Sequence, residues 1–314
     1  MRPSATLIAI AALTGCATYN DSAELLTVTG HAGSAVQSVA TESGSATSEG
    51  QWHDGVGIAK TDPEACSRQL INSNRSQFDE LDSQDIRMVN WNIRKGADLK
   101  WTSDLETFQT DSDLMIFQEA ALNSNSWALI ATDQYRSFAP GYRTRRSPTG
   151  VMTVSAMKPL TQCNLVSIEP WIRTPKATMI TEYGLTGTDQ TLLVINMHAV
   201  NFTIGTRIFE EQLRQARSVV DEHQGPILLS GDFNTWRWRR WAILQEMTTS
   251  LGLETLDYDE DHRKRVFGRP LDHIYVRGLE VLQATTGQVD SSDHNPMLAR
   301  LRLWTESYQA RRIN

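Results

Sequence analysis

Cysteine is scarce in this chain, which has three in 314 residues, at positions 16, 66 and 163. None belongs to a Cys-x-x-Cys pair or has a histidine at the spacing of a zinc site, so a thiolate metal centre is not expected. The histidines also lack the His-x-x-x-His spacing of a helical zinc-peptidase motif. These absences disfavour the common zinc chemistries and leave oxygen and imidazole groups as candidate ligands.

Excess basic charge and long apolar runs are missing as well. The net charge of −7 argues against a nonspecific nucleic-acid coat, but it is compatible with a nuclease that has a local basic cleft. After the first twenty residues, no apolar run approaches the roughly 18 residues that cross a bilayer. With 40% apolar and 21% charged residues, the composition is that of a globular protein with one large domain and a tail, or two small domains.

The first sixteen residues have the pattern of a targeting segment. Arg2 precedes a short apolar stretch from Ala5 to Leu13, and Leu13-Thr14-Gly15-Cys16 resembles the lipobox of bacterial lipoproteins, whose cysteine is acylated and becomes the new N-terminus. A plain secretory signal that contains a cysteine is the alternative. We expect residues 1–16 to be a lipoprotein signal and Cys16 to be the lipidation site. The alanine that follows the cysteine indicates the outer membrane of a bacterial envelope.

Residues 17–84 are the next predicted unit, a flexible tether rich in Ser and Gly that leads into a transitional segment. The stretch Gly44 to Gly50 has no apolar period, whereas one helix is expected around Ala65 to Ile71. In an exported protein, Cys66 and Cys163 meet an oxidising compartment and can form a disulfide. Two buried free thiols are the alternative.

From Asp85 onward the chain consists of short apolar segments bounded by Gly, Asp, Asn or Pro. Strands are predicted at Met88 to Ile93, Leu114 to Phe117, Val151 to Ala156, Leu165 to Ile168, Ala177 to Tyr183, Leu192 to Met197, Ile227 to Leu229, Leu271 to Val276, Leu279 to Gln283 and Met297 to Leu303. Helices are predicted at Ser103 to Gln109, Ser124 to Ala131, Thr206 to Glu222 and Arg239 to Leu251. This alternation predicts a two-sheet sandwich flanked by helices, so we assign 85–305 to one domain and 306–314 to a C-terminal tail.

Polar side chains cluster where the apolar segments end, which is where binding loops usually lie. Taken singly, each is more often a turn residue, a helix cap or a hydrogen-bonded histidine than a functional group. Six such sites, all carboxylate, carboxamide or imidazole, are harder to explain by capping, and hard oxygen ligands suit Mg²⁺ or Mn²⁺. The candidates are Asn92, Glu119, His198 with Asn201, Asp232 with Asn234, Asp272, and Asp293 with His294.

The order and spacing of these segments resemble the endonuclease/exonuclease/phosphatase superfamily, which includes deoxyribonucleases and neutral sphingomyelinases. The motifs that carry the resemblance are Trp91-Asn92, Gln118-Glu119, Gly231-Asp232-Phe233-Asn234 and Ser292-Asp293-His294-Asn295-Pro296. Asn196 to Phe202 and Leu271 to Ile274 look closest to the YafD-like bacterial branch. The resemblance implies an α/β fold: a four-layered α/β/β/α sandwich of two mainly antiparallel sheets flanked by helices.

The resemblance also implies a metal site and an attacking water. Glu119 would bind Mg²⁺ or Mn²⁺ with Asn92 and Asp293 beside it, and the cation would neutralise phosphate charge and polarise the P–O bond. Asp232 and Asn234 would orient or deprotonate the attacking water and hold the phosphate. No activated serine or cysteine nucleophile is evident, which agrees with direct attack of water on phosphorus.

Histidines would handle the remaining proton transfers. His294 would hydrogen-bond a phosphoryl oxygen or move a proton, and Asp272 would fix the tautomer of His294 and favour its charged form. His198 would protonate the leaving oxygen. Asn201, like Asn234, would bind the phosphate.

Basic loops are the candidates for substrate selection. They are the arginines at 143, 145 and 146, the segment Trp236 to Trp241, in which Arg and Trp alternate, and the segment Arg263 to Arg269. In the second loop the arginines could pair with phosphates while the tryptophans stack on bases or sugars. The alternative is a helix start whose tryptophans pack inward and whose arginines face water.

The sequence therefore predicts a divalent-metal-dependent phosphodiester hydrolase, with a nuclease as the first hypothesis. A hydrolase of phospholipids or other phosphate esters at the bacterial envelope is the alternative, because a membrane tether would favour it. A non-catalytic envelope lipoprotein on the same fold is the third hypothesis. The expected partners are a nucleic acid or a lipid headgroup as substrate, and a membrane through the N-terminal lipid.

Overall fold

The computed structural model describes residues 62–71, 79–122, 133–143, 147–170 and 173–304. The predicted signal with Cys16, most of the tether, the helix predicted at 124–131, the arginines at 145 and 146 and the tail at 306–314 lie outside the described residues. Within the described ranges, no helix combines the length and the apolar character that a membrane-crossing segment requires.

Helices and strands alternate along the described chain. The helices are α1 (Pro63–Ile71), α2 (Trp101–Gln109), α3 (Arg207–Val220) and α4 (Trp238–Ser250), with a 3₁₀ turn at Arg94–Gly96. The strands are β1 (Ile86–Asn92), β2 (Leu114–Ala121), β3 (Tyr135–Arg143), β4 (Pro148–Ser155), β5 (Thr161–Ile168), β6 (Pro175–Gly184), β7 (Thr191–His198), β8 (Ile227–Asp232), β9 (Glu254–Thr255), β10 (Arg265–Val266), β11 (Arg269–Pro270), β12 (Asp272–Arg277), β13 (Leu279–Thr286) and β14 (Met297–Leu303).

Two six-stranded sheets form the centre of the molecule. The first has the strand order β13-β14-β1-β2-β4-β3 and the second has the order β5-β6-β7-β8-β12-β9. In the first sheet only the β1–β2 pair is parallel, and in the second only the β7–β8 pair. Each parallel pair brings two carboxyl-terminal strand ends to the same edge of its sheet, and those ends carry the polar candidates.

The apolar core has three main layers. Residues such as Ile86, Ile116 and Val194 fill the space between the sheets. Helix α2 covers the outer face of the first sheet with Trp101 and Leu105. Helices α1, α3 and α4 cover the outer face of the second sheet, where α3 buries the apolar side of the helix with Phe209, Leu213 and Val220. The molecule is thus a four-layered α/β/β/α sandwich of mainly antiparallel sheets, which confirms the predicted fold.

Helix α1 is held to the second sheet by a disulfide. Cys66 on α1 and Cys163 on β5 are bonded, with their Cα atoms 5.7 Å apart. Of the two predicted alternatives, the structure therefore has the disulfide, and the two sulfur atoms lie in the layer between the helices and the sheet.

Most strand predictions are confirmed with ends displaced by a few residues, but β3 was missed. Pro140 and Gly141 interrupt its apolar alternation, and the pairing of β3 with β4 shifts register between Pro140 and Tyr142. Because β3 is the last strand of its sheet, it tolerates a proline that a central strand would not. The hairpin β10–β11 was also missed, because two-residue strands in a charged loop have no readable period.

Candidate active site

Four of the predicted residues meet at one edge of the sandwich. Asn92 ends β1, Glu119 lies near the end of the neighbouring β2, and His198 and Asp232 lie opposite each other at the ends of β7 and β8. Asn92 Nδ2 donates to Asp232 Oδ2 at 3.1 Å, a hydrogen bond that joins the two sheets. All four side chains are buried, so the charges of Glu119 and Asp232 act in a low-dielectric environment.

Asp232, Asp272 and His294 form what we call the acid–base half of the site. The antiparallel register of β8 and β12 places Asp272 opposite Asp232. His294 Nδ1 lies 2.8 Å from Asp272 Oδ2, and since a carboxylate can only accept, Nδ1 carries the hydrogen and donates. The loop that holds His294 is fixed by Trp91 Nε1, which donates to the His294 carbonyl at 2.9 Å, and by Ser292 Oγ, which donates to the Asn92 carbonyl at 2.7 Å.

The acid–base half keeps its proton on His294. Burial alone would lower the pKa of His294, but the carboxylates of Asp272 and Asp232 outweigh it and raise this pKa to about 10. Burial raises the pKa of Asp232 above its usual range, and the charged His294 opposes that shift. The result at neutral pH is an imidazolium held against two buried carboxyl groups, which is the separation of proton affinities expected of an acid and a base.

Glu119, Lys95, Lys176 and His198 form the second half, which we call the cation half. Lys95 Nζ donates to Glu119 Oε2 at 2.8 Å. Burial would raise the pKa of Glu119, but the ammonium groups of Lys95 and Lys176 hold this pKa well below its usual range. Glu119 and Lys95 both have positive φ, at 52° and 65°, which is uncommon for side-chain-bearing residues and typical of functional loops.

Lys176 Nζ lies 2.9 Å from His198 Nε2. Because an ammonium group can only donate, Nε2 is the acceptor and the hydrogen of the neutral ring is on Nδ1. Burial and the charge of Lys176 together keep the pKa of His198 well below its usual value. His198 Nε2 is also 3.7 Å from Asp232 Oδ2, so His198 connects the two halves of the site.

Lys95 and Lys176 were not among the predicted site residues. Lys95 follows the motif residue Asn92 by three positions, and Lys176 is the second residue of β6, with a relative exposure of 7%. A lysine is rarely so buried, and its position directly before the strand predicted at Ala177 to Tyr183 was the available signal. Tyr142, whose hydroxyl hydrogen-bonds to Lys95, adds a third unpredicted residue to the cation half.

Asn234 and Asn201, the two predicted phosphate-binding residues, both hydrogen-bond within the protein. The backbone N–H of Asn234 donates to Asp232 Oδ1 at 3.0 Å, and its side chain donates to the Ala199 carbonyl at 3.0 Å, so Asn234 holds Asp232 in place. The side-chain oxygen of Asn201 accepts from Trp236 Nε1 at 2.9 Å. Both asparagines therefore help to shape the loops around the site.

Asp293 is the most exposed of the predicted residues. Its carboxylate is 3.9 Å from Lys264 Nζ, and 35% of the side chain is exposed. Asn92 Oδ1 accepts from the backbone N–H of Arg94 at 3.1 Å. The three predicted metal ligands are therefore placed around the same loops, with Glu119 buried at the edge and Asp293 at its solvent side.

The donor set fits a divalent cation. Among the described residues, Asp232, Asp272 and His294 offer ligand atoms within 4.8 Å of one another, and the buried Asp272 Oδ1 has no hydrogen-bond partner there. A histidine that stays protonated is a poor metal ligand, however, so we assign this trio to proton transfer. Glu119 is the better ligand, because its buried carboxylate is ionised and already faces a cation, the Lys95 ammonium.

The Arg/Trp segment fits the helix-start alternative only in part, because Arg237 and Arg239 face solvent as expected but Trp238 and Trp241 do not pack inward. Trp238 and Trp241 are exposed, while Arg240 is buried and donates to the carbonyls of Asn234 and Val200. Arg240 thus joins the loop that follows β8 to the loop that follows β7. Trp238 and Trp241 face solvent.

Sequence comparison identifies relatives over most of the described domain. A model of the Endonuclease/Exonuclease/phosphatase family matches residues 89–294. A UPF0294 protein of Vibrio parahaemolyticus is 34% identical over 225 residues, which cover 71% of this chain and 79% of that protein. A UPF0294 protein of Yersinia enterocolitica is 36% identical over 219 residues, which cover 69% of this chain and 84% of that protein.

Solved structures share the fold at low sequence identity. The human nocturnin catalytic domain has a TM-score of 0.55 at 14% identity and covers 73% of this chain and 97% of its own. A mannosyl-6-phosphatase of Bacteroides thetaiotaomicron has 0.53 at 13% identity, with coverage of 69% and 99%. Sphingomyelinase C of Streptomyces griseocarneus has 0.51 at 16% identity, also with 69% and 99%. These likenesses concern the fold alone.

Proposed function

Because this chain belongs to the Endonuclease/Exonuclease/phosphatase family, we propose that it is a divalent-metal-dependent phosphodiester hydrolase in which water attacks phosphorus directly. The observation that carries the proposal is the acid–base half, in which a buried carboxylate with a raised pKa lies beside a histidine with a raised pKa. The geometry supports the same roles: Asp272 holds His294 Nδ1, and Asn92 and Asn234 hold Asp232, so a proton donor and a proton acceptor are fixed on one buried edge, as general acid–base catalysis requires.

In the proposed reaction, Asp232 receives the proton of the attacking water. Asn92 Nδ2 and the backbone N–H of Asn234 each hold one carboxylate oxygen of Asp232, which fixes its orientation. His294 donates from Nε2 to a phosphoryl oxygen as negative charge grows there, while Asp272 holds Nδ1. A positioned acid or base of this kind contributes about 10²- to 10⁴-fold to the rate.

The cation half receives the phosphate. Lys176 and Lys95 supply two ammonium groups beside the polar edge, and a phosphodiester carries one negative charge to be neutralised. A divalent cation held by Glu119 and Asn92, with Asp293 near its solvent side, would polarise the P–O bond. His198 was predicted to protonate the leaving oxygen. In the Lys176–His198 hydrogen bond, the hydrogen is on Lys176 Nζ. The proton for the leaving oxygen would therefore come from Lys176 and pass through His198.

A substrate panel tests the proposal. The chain from residue 17 onward would be incubated with plasmid DNA, RNA, bis-p-nitrophenyl phosphate and phospholipids, each with Mg²⁺, Mn²⁺ or EDTA, and His294→Ala would be the matched inactive form. Metal-dependent cleavage that disappears in His294→Ala supports the proposal. Failure to cleave any diester by a folded chain that binds metal would favour the non-catalytic lipoprotein. Cleavage of nucleic acid but not of phospholipid would select the nuclease hypothesis.

We also propose that Cys16 carries a lipid that anchors the enzyme to the bacterial outer membrane. The support is the Leu13-Thr14-Gly15-Cys16 sequence, followed by alanine. In membrane fractionation, the wild-type chain should sediment with outer membranes, and Cys16→Ala should lose acyl labelling. Unchanged labelling in Cys16→Ala would contradict the assignment.

A further inference from the structure

Large apolar side chains stand exposed beside the candidate active site. Ile204 is 79% exposed, Phe267 67%, Trp238 64% and Trp241 41%. We call these four residues, together with the half-buried Trp236, the apolar rim. A contiguous group of exposed apolar side chains on one face of a protein usually marks a binding surface, because folding alone would favour their burial.

Contacts link the three segments that carry the apolar rim to one another and to the site. The rings of Trp236 and Phe267 lie 6.3 Å apart, which connects the α4 segment to the hairpin β10–β11. Trp236 Nε1 donates to Asn201 Oδ1, which connects it to the loop that carries Ile204. Asn201 follows His198 by three residues, and Trp236 follows Asn234 by two. The rim therefore borders the reacting edge and does not lie on a remote face.

Phe267 at the tip of the β10–β11 hairpin is not explained by the stability of the fold. The two central residues of the turn, Phe267 and Gly268, have φ of 50° and 79°. Such a two-residue turn favours Asn-Gly or Asp-Gly, because bulky side chains are strained at positive φ. Phe267 occupies a strained backbone position and also faces solvent, so neither local geometry nor burial accounts for a phenylalanine at the tip.

Positive charge surrounds the apolar rim. The segments 204–207, 236–241 and 264–269 contain seven Lys or Arg residues and no Asp or Glu, in a chain whose net charge is −7. Arg237 lies over the ring of Trp236 at 4.2 Å and is exposed. Three of the seven add little to the surface charge, because Arg240 is buried, Lys264 lies 3.9 Å from the Asp293 carboxylate and Arg265 is paired with Asp261. Arg237 and Arg239 are exposed at the start of α4.

We propose that the apolar rim docks this enzyme on an anionic phospholipid surface, with Ile204, Trp238 and Phe267 entering the interfacial region and the arginines contacting headgroups. Exposed tryptophans at a membrane interface, combined with basic residues that attract anionic lipids, are the features that hold proteins there. A single-stranded nucleic acid would stack its bases on the four rings of the rim, but it leaves Ile204, the most exposed of the five, without a partner. A lipid surface takes up aromatic and aliphatic side chains alike. Docking does not depend on the proposed hydrolysis. The further consequence, that the active site meets the phosphodiester of a lipid, does rest on the proposed hydrolysis.

Vesicle binding tests the proposal without turnover. The chain from residue 17 onward, which contains every described residue and lacks Cys16, would be mixed in EDTA with vesicles of phosphatidylcholine alone or with phosphatidylglycerol. The rim variant would carry Ile204→Ser, Trp238→Ser and Phe267→Ser. The control variant would carry Val281→Ser and Leu282→Ser, two exposed apolar residues on β13. Thermal unfolding of each variant would establish that it is folded.

The expected result is co-sedimentation that requires phosphatidylglycerol and weakens with salt. Binding should fall by about 10³-fold in the rim variant, since each of the three inserted side chains contributes about a factor of ten. The control variant should bind like the wild type. Equal binding by the rim variant, or no binding by the wild type, would overturn the proposal. Rim-dependent binding of a single-stranded oligonucleotide in place of vesicles would overturn it too and assign the apolar rim to nucleic acid. A parallel assay of wild-type hydrolysis of bis-p-nitrophenyl phosphate tests the proposed function separately.

Discussion

The two halves of the candidate site balance their charges in opposite ways. In the acid–base half, two carboxyl groups surround one histidine, and the excess of negative charge keeps the proton on His294. In the cation half, two lysines surround one carboxylate and one neutral histidine, and the excess of positive charge keeps Glu119 ionised. His198 and Asp232, 3.7 Å apart, are the point where the halves meet.

This difference assigns a direction to the substrate. A phosphate group is drawn to the side where positive charge exceeds negative charge, so we expect a phosphate-ester substrate to enter over Lys95 and Lys176. We expect proton transfer on the other side, where His294 and the carboxylate of Asp232 lie within 4.8 Å of each other. Changes in the acid–base half should therefore alter the rate and its pH dependence, and changes in the cation half should alter phosphate and metal binding.

The largest expected effect is a loss of turnover when a residue of the acid–base half is replaced. Asp232→Asn and His294→Ala should each lower kcat for bis-p-nitrophenyl phosphate by about 10²- to 10⁴-fold, because each removes a positioned base or acid. His262→Ala, which changes a histidine outside both halves, is the matched control and should retain the wild-type kcat. Near-wild-type turnover by either site variant would end the assignment of its role.

Asp272→Asn should alter the pH dependence. In the wild type, activity needs Asp232 ionised and His294 protonated, so it should rise through the raised pKa of Asp232 and fall near pH 10. Without the Asp272 carboxylate, the pKa of His294 drops and the alkaline fall should move to lower pH. If activity falls at the same alkaline pH in Asp272→Asn as in the wild type, deprotonation of His294 does not cause that fall.

The same shift predicts a pH dependence of stability. The pKa of folded His294 is raised from 6.5 to about 10, so its protonation contributes stability that is complete below pH 6.5 and is lost as pH rises toward 10. Asp272→Asn should flatten that decline in Tm between neutral and alkaline pH. A parallel decline in both proteins would show that the Asp272 carboxylate does not cause the shift.

Lys176→Met should affect the cation half more than the acid–base half. Loss of one ammonium group should lower kcat/KM by about 10- to 100-fold through weaker phosphate binding. The pKa of His198 should rise toward its ordinary value, which NMR titration of the imidazole can follow. Lys158→Met, a lysine outside both halves, is the control. An unchanged His198 titration would show that Lys176 does not face His198 in solution.

The smallest expected effect is a gain in metal affinity. Lys95→Met removes the cation that faces Glu119, so Mn²⁺ should bind roughly tenfold more tightly in calorimetry, since a competing charge is gone. Lys100→Met, a nearby exposed lysine, should leave Mn²⁺ binding unchanged. If Lys95→Met binds Mn²⁺ more weakly, Lys95 would be positioning Glu119 for the metal and not competing with it.

The sequence was most informative where candidate site residues lie at the ends of predicted strands. Asp232, Asp272 and His294 were identified because each closes or opens an apolar segment in a short motif, and the register of β8 and β12 places them together. The two-sheet fold followed from the same segments, since their length and spacing depend on local sequence.

The lysines were missed because their partners are set by packing between strands. Lys95 and Glu119 are 24 residues apart, and Lys176 and His198 are 22 apart, so no local pattern links them. Strand β3 was missed because Pro140 and Gly141 break its alternation, which only an edge position makes acceptable. The outward orientation of Trp238 and Trp241 also depended on tertiary structure, because the backbone carbonyls that bind the buried Arg240 come from two separate loops.

The most direct test of the central claim is the hydrolysis of bis-p-nitrophenyl phosphate by the wild-type chain with Mn²⁺, before and after addition of EDTA. Release of p-nitrophenol that stops with EDTA, resumes with excess Mn²⁺ and is absent in Asp232→Asn is the predicted result. Release that continues in EDTA, or that is equal in Asp232→Asn, would contradict a metal-dependent site built on this edge of the sandwich.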